Sequence, residues 1–272
     1  MPASVTVVFR VGVALACLGG GALPACALTV LNQGRCGQNS GITRERFETD
    51  VLKRAPKPDY VLIYIGMNDV INHHFFTPVD RYVENVKWMI ERSRSAGIVP
   101  VVCTIHHVVE EKVYKVHPRE LFVPETINRK MERYNAALRK LVADLKVDVA
   151  DFNAVTDRTP QPEFLSDDGV HLTASGNRLL AKTFYDVIGP RLTGRETIVC
   201  VGDSLTFGYR NDGAGTAEGE TYPAMLKQMA QGLLTDGPRT VPGGDARRLR
   251  PRPRAGGWHL WPRRGLTGVA PQ

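Results

Sequence analysis

TIVCVGDSLTFGY, residues 197–209, begins as a run of strand length, turns at Gly202-Asp203 and presents Ser204 just past the turn. An apolar run of that length without polar alternation reads as a strand buried on both faces, and such strands belong to parallel sheets covered by helices. The pattern recurs outward from this stretch. LTVL (28–31), YVLIYIG (60–66), IVPVVCTI (98–105) and VDVADF (147–152) are further strand candidates. Helices are expected near 44–54, 80–96, 124–145, 174–188 and 221–234. In 124–145 the residues Ile127, Met131, Tyr134, Leu138, Leu141 and Leu145 recur at helical spacing on one face. Strands alternating with helices predict an α/β fold, a three-layer α/β/α sandwich around a five-stranded parallel sheet. In such sheets chemistry gathers in the loops beyond the carboxyl ends of the strands, which is where Ser204 falls.

The composition is that of an ordinary globular chain, 43% hydrophobic and 23% charged over 272 residues. A formal charge of +7 raises the question of nucleic acid, but the excess is local. Residues 235–272 hold eight arginines and six prolines against Asp236 and Asp245, and without them the chain carries only +1. The body therefore lacks the basic, aromatic-studded surface of a nucleic-acid binder. The tail has no apolar period and is expected to be disordered; nucleic-acid binding through it is a minor reading, and none is expected.

At the other end, Arg10 precedes an uncharged run that finishes in Ala25-Cys26-Ala27, an A-x-A cleavage pattern. Residues 1–27 are expected to be a signal peptide, which places the protein outside the cytoplasm, secreted or periplasmic. If that segment has no targeting role, the protein is cytoplasmic. Leu23-Pro24-Ala25-Cys26 also loosely resembles a lipoprotein box. The run's glycines and proline argue against an integral membrane span. Five cysteines (Cys17, Cys26, Cys36, Cys103, Cys200) fit neither a zinc pattern nor a disulfide scaffold, and Cys103 and Cys200 read as core residues.

Four loops carry chemistry-bearing residues. Ser204 needs a base to become a nucleophile, and SDDGVHLTASG (166–176) offers one. Asp168 and His171, three apart on a turn, let the carboxylate reach Nδ1 of the imidazole and leave Nε2 for the serine proton. Gly34-Arg35-Cys36-Gly37 and Gly66-Met67-Asn68-Asp69 supply backbone N–H and amide donors of the kind that stabilise an oxyanion. Each segment alone is an ordinary turn or helix cap; the set of four at strand ends is what points to a site. Other features point away from alternatives. His73-His74 and His106-His107 are adjacent pairs that cannot converge on one metal from a regular strand, so surface or groove-lining roles are expected, with no metal and no cofactor. Gly213-Ala214-Gly215 lacks a preceding strand, against a dinucleotide site. The missing second glycine after Ser204 argues against the α/β-hydrolase elbow.

Together these segments resemble the four sequence blocks of the SGNH (GDSL-type) hydrolases. VGDSLTFGY resembles the nucleophile block, NQGRCGQNSG the glycine block, IGMNDV the Gly-x-Asn-Asp block and LSDDGVHLTASG the Asp-x-x-His block. GETYPAMLKQ (219–228) is similar to the helix that follows the family's nucleophile, and the resemblance spans roughly 28–234. It implies a flavodoxin-like fold and a carboxylic-ester hydrolase working through an acyl-enzyme on small acyl, aryl or lysophospholipid-type esters. By the same resemblance Ser204 is the nucleophile, His171 the general base and Asp168 its orienting carboxylate. Ser204 N–H, Gly37 N–H and the Asn68 amide form the oxyanion hole.

The order of the blocks departs from the family. The nucleophile block (198–208) comes last, 33 residues after His171, where the family has it first. A circular permutation accounts for this, since domain termini often lie close together. The link RLTGRET (191–197) lets the last strand return to its own sheet, or be donated to a neighbour's in a strand-swapped dimer. The competing account of the order is a broken tandem, in which Ser204 serves its own domain or a partner chain's. The alternative function is that of a rearranged, inactive remnant or a carbohydrate- or lipid-binding protein.

Overall fold

A computed structural model describes residues 27–232 of the chain. The expected signal peptide (1–27, apart from Ala27) and the expected tail (235–272) lie outside the described residues. In chain order the elements are β1 (Thr29–Gly34), α1 (Ser40–Phe47), β2 (Tyr60–Tyr64), α2 (Met67–Ile71), α3 (Val79–Ser95), β3 (Val99–Cys103) and α4 (Glu110–Val113). Then follow α5 (Ile127–Leu145), β4 (Asp148–Ala150), α6 (Phe152–Thr156), α7 (Gln161–Phe164), α8 (Ala174–Ile188), β5 (Thr197–Gly202), α9 (Ser204–Phe207) and α10 (Tyr222–Ala230).

The five strands form one all-parallel sheet in the order β1-β5-β2-β3-β4. Every residue of β2 and β5 is buried, so both faces must be covered. Connection handedness says how. Parallel crossovers are right-handed, and β1→β2, β2→β3 and β3→β4 all step the same way across the sheet. Their helices therefore share a face, and α1 packs on α3 and α3 on α5. The return from β4 to β5 steps the other way, which puts α8 on the opposite face, where it packs against α10 and β4. Counted from β5 as the first strand, the sheet order becomes 2-1-3-4-5, the flavodoxin-like doubly wound order.

Local chemistry sets the element boundaries. Thr126 caps α5, accepting the Arg129 N–H at 3.4 Å, and Ile127, Met131, Tyr134 and Leu138 are buried along one face, as their spacing predicts. The helix starts at 127 rather than 124 because its cap follows Pro124. β1 runs to Gly34, three residues beyond the LTVL run. It is an edge strand, so Asn32 and Gln33 need not be apolar, and Gly34 still registers with Gly202. Cys103 and Cys200 are fully buried and, like Cys36, free. Among the described residues no helix is long and apolar enough to cross a membrane.

The register brings three strand ends level: Gly202 lies beside Gly34 on one side and Tyr64 on the other. Two of the three must be glycine. A Cβ on Gly202 would sit 2.1 Å from the Tyr64 carbonyl oxygen, and one on Gly34 would sit 2.0 Å from the Phe207 nitrogen. The turn that carries Ser204 can thus fold back directly over the strand ends.

Candidate active site

Ser204 opens α9, and Asp203 caps it, its Oδ1 accepting the Leu205 N–H at 2.9 Å. The Ser204 side chain is nearly buried, and its Oγ lies 2.9 Å from His171 Nε2. His171 Nδ1 lies 2.8 Å from Asp168 Oδ2. The expected serine, histidine and aspartate are therefore hydrogen-bonded in line within one chain.

The Asp168–His171 turn is tied at many points. Asp168 Oδ1 accepts the N–H of Val170 and of His171, both at 2.9 Å, and the Ser166 hydroxyl at 2.8 Å. Burial alone would raise the Asp168 carboxyl. The His171 side chain and the two backbone N–H groups outweigh it and hold the group well below the usual carboxylate range. Arg210 approaches the same carboxylate at 3.4 Å, and the Tyr209 ring packs 4.8 Å from the His171 ring. Tyr209 is 39% exposed, so it lines the open side of the histidine.

Of the expected oxyanion donors, Ser204 N–H and the Asn68 amide come from neighbouring strand ends. Asn68 Nδ2 donates to the Gln38 carbonyl at 3.1 Å and to Asp203 Oδ2 at 3.3 Å. Its two N–H groups are therefore already engaged beside the serine turn, next to the Gly37 loop. Asp203 is fully buried, and burial pushes its carboxyl up to about 7, partly opposed by the Leu205 N–H. The loops are braced from behind. Asp69 accepts the Ser40 N–H at 2.9 Å and the Ser40 hydroxyl at 2.5 Å, tying the Asn68 loop to α1. Arg46 donates to the Gln33 carbonyl at 2.9 Å and the Gly202 carbonyl at 2.8 Å, clamping β1 to β5 just under the turn.

Of the histidine pairs, His73, His74 and His107 are partly or fully exposed, in keeping with the expectation of surface or groove-lining roles. His106 is fully buried, which corrects that expectation, because its ring is enclosed by Tyr64, Phe152 and Phe164. His107 is partly exposed, with Nε2 2.5 Å from Glu132 and Nδ1 2.9 Å from Asp157. Among the described residues this trio alone could hold a metal ion, its ligand-type atoms lying within 4.8 Å of one another. Each ring nitrogen faces a different carboxylate rather than a shared centre. His73 Nδ1 lies 2.7 Å from His117 Nδ1, so these two rings pair with each other. The contacts of His106, Tyr64, Arg46 and Asp203 around these loops are not marked by any local pattern in the sequence. The available signal for His106 was its position directly after a buried strand, in line with the other site loops.

A model of the GDSL-like lipase/acylhydrolase family matches residues 20–179. That span takes in Gly37, Asn68, Asp168 and His171 and stops before Ser204. Over 179 residues the chain is 30% identical to an uncharacterized lipoprotein of Bacillus subtilis, covering 58% of this chain and 73% of that protein. Over 173 residues it is 28% identical to an acetylxylan esterase of Geobacillus stearothermophilus, covering 61% of this chain and 74% of the esterase. Among solved structures, a GDSL-like lipase of Bacteroides thetaiotaomicron aligns with a TM-score of 0.49 at 22% identity, covering 57% of this chain and 73% of that one.

Proposed function

Since this chain belongs to the GDSL-like lipase/acylhydrolase family and is a serine ester hydrolase, we propose that Ser204, His171 and Asp168 carry its reaction. The observation behind this reading is the line of hydrogen bonds from Asp168 through His171 to Ser204, at 2.8 and 2.9 Å. His171 Nε2 takes the Ser204 proton as Oγ attacks the ester carbonyl. Asp168 stays ionised and stabilises the imidazolium that forms. The oxyanion is met by the Ser204 and Gly37 N–H groups and by Asn68, one of whose amide hydrogens leaves its present acceptor to do so. His171 then protonates the leaving alcohol, and a water molecule releases the acid from the acyl-enzyme by the same route in reverse.

The substrate class we propose is a small acyl ester, with acetylated carbohydrate foremost; the relative named acetylxylan esterase supports this choice over lysophospholipid-type and aryl esters. A series of p-nitrophenyl esters, run beside acetylated xylo-oligosaccharides, tests it. Acetyl turnover should fall steeply as the acyl chain lengthens. A preference for long acyl chains would overturn the substrate class while leaving the site residues standing.

Acidification should reduce kcat/KM, because the base acts only when neutral. Asp168 is held below the usual carboxylate range, so it stays charged throughout the working range and contributes no second proton to that limb. His171 alone gives a slope of one on the acid limb of the log kcat/KM plot, and a second proton there would come from Asp203, which burial pushes up to about 7 beside the serine turn. A flat limb would contradict the base assignment.

Three organisational proposals accompany this one. The nucleophile block stands last through circular permutation of the family's order; the 2-1-3-4-5 strand order counted from β5 supports it. Residues 1–27 direct export; the relative described as a lipoprotein supports this. Residues 235–272 lie outside the hydrolase domain, whose last helix, α10, already packs on α8 and β1. Truncation after Leu234 should leave kcat/KM within about three-fold of full length, as expected for a segment outside the packed domain. A folded but inactive truncation would show that the tail completes the site.

A further inference from the structure

The loop after β3 runs alongside the turn that carries Asp168 and His171. Val109 N–H donates to the Gly169 carbonyl at 2.9 Å. One residue further round the turn, the Val170 carbonyl lies 2.9 Å from His106 Nε2. On the other side of the same ring, Nδ1 lies 2.6 Å from the Tyr64 hydroxyl. A carbonyl oxygen can only accept, so Nε2 carries the ring proton. Nδ1 is then the acceptor, and the Tyr64 hydroxyl donates to it. Burial pushes His106 down to about 4, which keeps this neutral tautomer at working pH. Tyr64 ends β2 beside Gly202, the residue from which the Ser204 turn departs.

What His106 holds is one peptide group. The Val170 carbonyl and the His171 N–H belong to the same planar unit, and fixing one end fixes the direction of the other. The carbonyl end is held by His106 and the N–H end by Asp168 Oδ1 at 2.9 Å. The plane that sets where the His171 side chain leaves the backbone is therefore clamped at both ends. The ring cannot slide, being enclosed by Phe152 at 5.7 Å and Phe164 at 6.1 Å between centroids.

We propose that His106 is a positioning residue for ester hydrolysis, a rigid buried spacer between Tyr64 and the Val170 carbonyl that holds His171 in line with Ser204. The inference rests on the Ser204–His171–Asp168 reading. It requires that loss of the spacer lower kcat rather than raise KM, because His106 touches the turn and not the substrate.

Glutamine can place an amide donor and an acceptor with nearly the spacing of the two ring nitrogens; leucine can do neither. In a folded H106L enzyme kcat should fall about 10- to 100-fold with KM within about three-fold, the scale expected when a reacting group is displaced by around an ångström. H106Q should recover most of that loss, and Y64F should show a smaller fall in kcat of the same kind. The downfield proton resonance of the His171–Asp168 hydrogen bond should persist in H106Q and broaden or shift in H106L. A folded H106L enzyme with wild-type kcat overturns the proposal, as does a folded H106Q enzyme as impaired as H106L. If H106L does not fold, Y64F and H106Q decide by kcat and the resonance. An S204A control separates the two levels. Activity surviving in S204A defeats the site reading itself, whereas an inactive S204A beside an unimpaired H106L defeats only the role of His106.

Discussion

H171A should lower kcat/KM for a short p-nitrophenyl ester by about 10,000-fold or more, and S204A should do the same, as expected when either member of a serine–histidine pair is removed. With the imidazole gone, the Ser204 hydroxyl keeps its proton and has nothing to give it to. D168N leaves a hydrogen-bonding side chain but favours the wrong tautomer of His171, and a loss of about 10,000-fold is the scale for that change. The double variant S204A/H171A should be no worse than either single one, since the residues act as a unit. Each protein must be shown to be folded, because Asp168 also accepts three hydrogen bonds that shape its own turn. H107A, whose ring faces Glu132 and Asp157 instead, should retain activity within about three-fold, the range of changes away from such a unit. A folded H171A enzyme with more than a few per cent of wild-type activity would remove His171 from its assigned role.

Mixing S204A with H171A, or co-expressing them, should give no activity above that of either alone. Every site built from one chain then lacks a member of the pair. The geometry of the link argues for this outcome. Between α8 and β5, the carboxylate of Glu196 accepts the backbone N–H of Thr193 at 2.6 Å and those of Gly194 and Arg195 at 3.0 Å. Burial opposes its ionisation, but the Thr193 hydroxyl, which donates to the same carboxylate at 2.6 Å, and the backbone N–H groups hold the carboxyl down at about 2, so the turn keeps its charged clasp at any ordinary pH. Leu28 and Thr29 donate to the Gly194 and Glu196 carbonyls at 2.8 Å, closing the same turn onto the start of β1. A segment so tied is a formed corner rather than a free hinge, and it delivers β5 between β1 and β2 of its own sheet. A strand exchanged between chains would instead restore intact sites in mixed dimers. Activity would return to a sizeable fraction of wild type, in a species the size of a dimer.

Much of the fold was legible because burial on both faces leaves a plain mark. β2 and β5 are buried from end to end and apolar along nearly their whole length, and α5 repeats its buried residues at helical spacing. What escaped notice was short or paired across distance. Helices α2, α4, α6, α7 and α9 are four or five residues long, too brief for a period to register. The end of β1 was hidden because an edge strand tolerates Asn32 and Gln33. For the site, Ser204, His171, Asp168 and Asn68 stand on turns or in the first residues of short helices beyond the strand ends, in segments whose local composition betrays them. The supports do not. Arg46 is informative only once Gln33 and Gly202 are seen to bring their carbonyls to it, and His106 only once Tyr64 and Val170 flank it. No spacing within the chain announces contacts across 42 or 64 residues.

The most direct test of the central claim is covalent labelling by a fluorophosphonate ester, with the adduct located by peptide mass spectrometry. Such a probe reacts rapidly with a serine oxygen activated as the reaction requires and slowly with unactivated hydroxyls. One adduct per chain is expected, on Ser204, formed at a rate that H171A slows by orders of magnitude and that a saturating ester substrate suppresses. An adduct on another serine, such as Ser40 or Ser166, or labelling of Ser204 unchanged by H171A, would contradict the account.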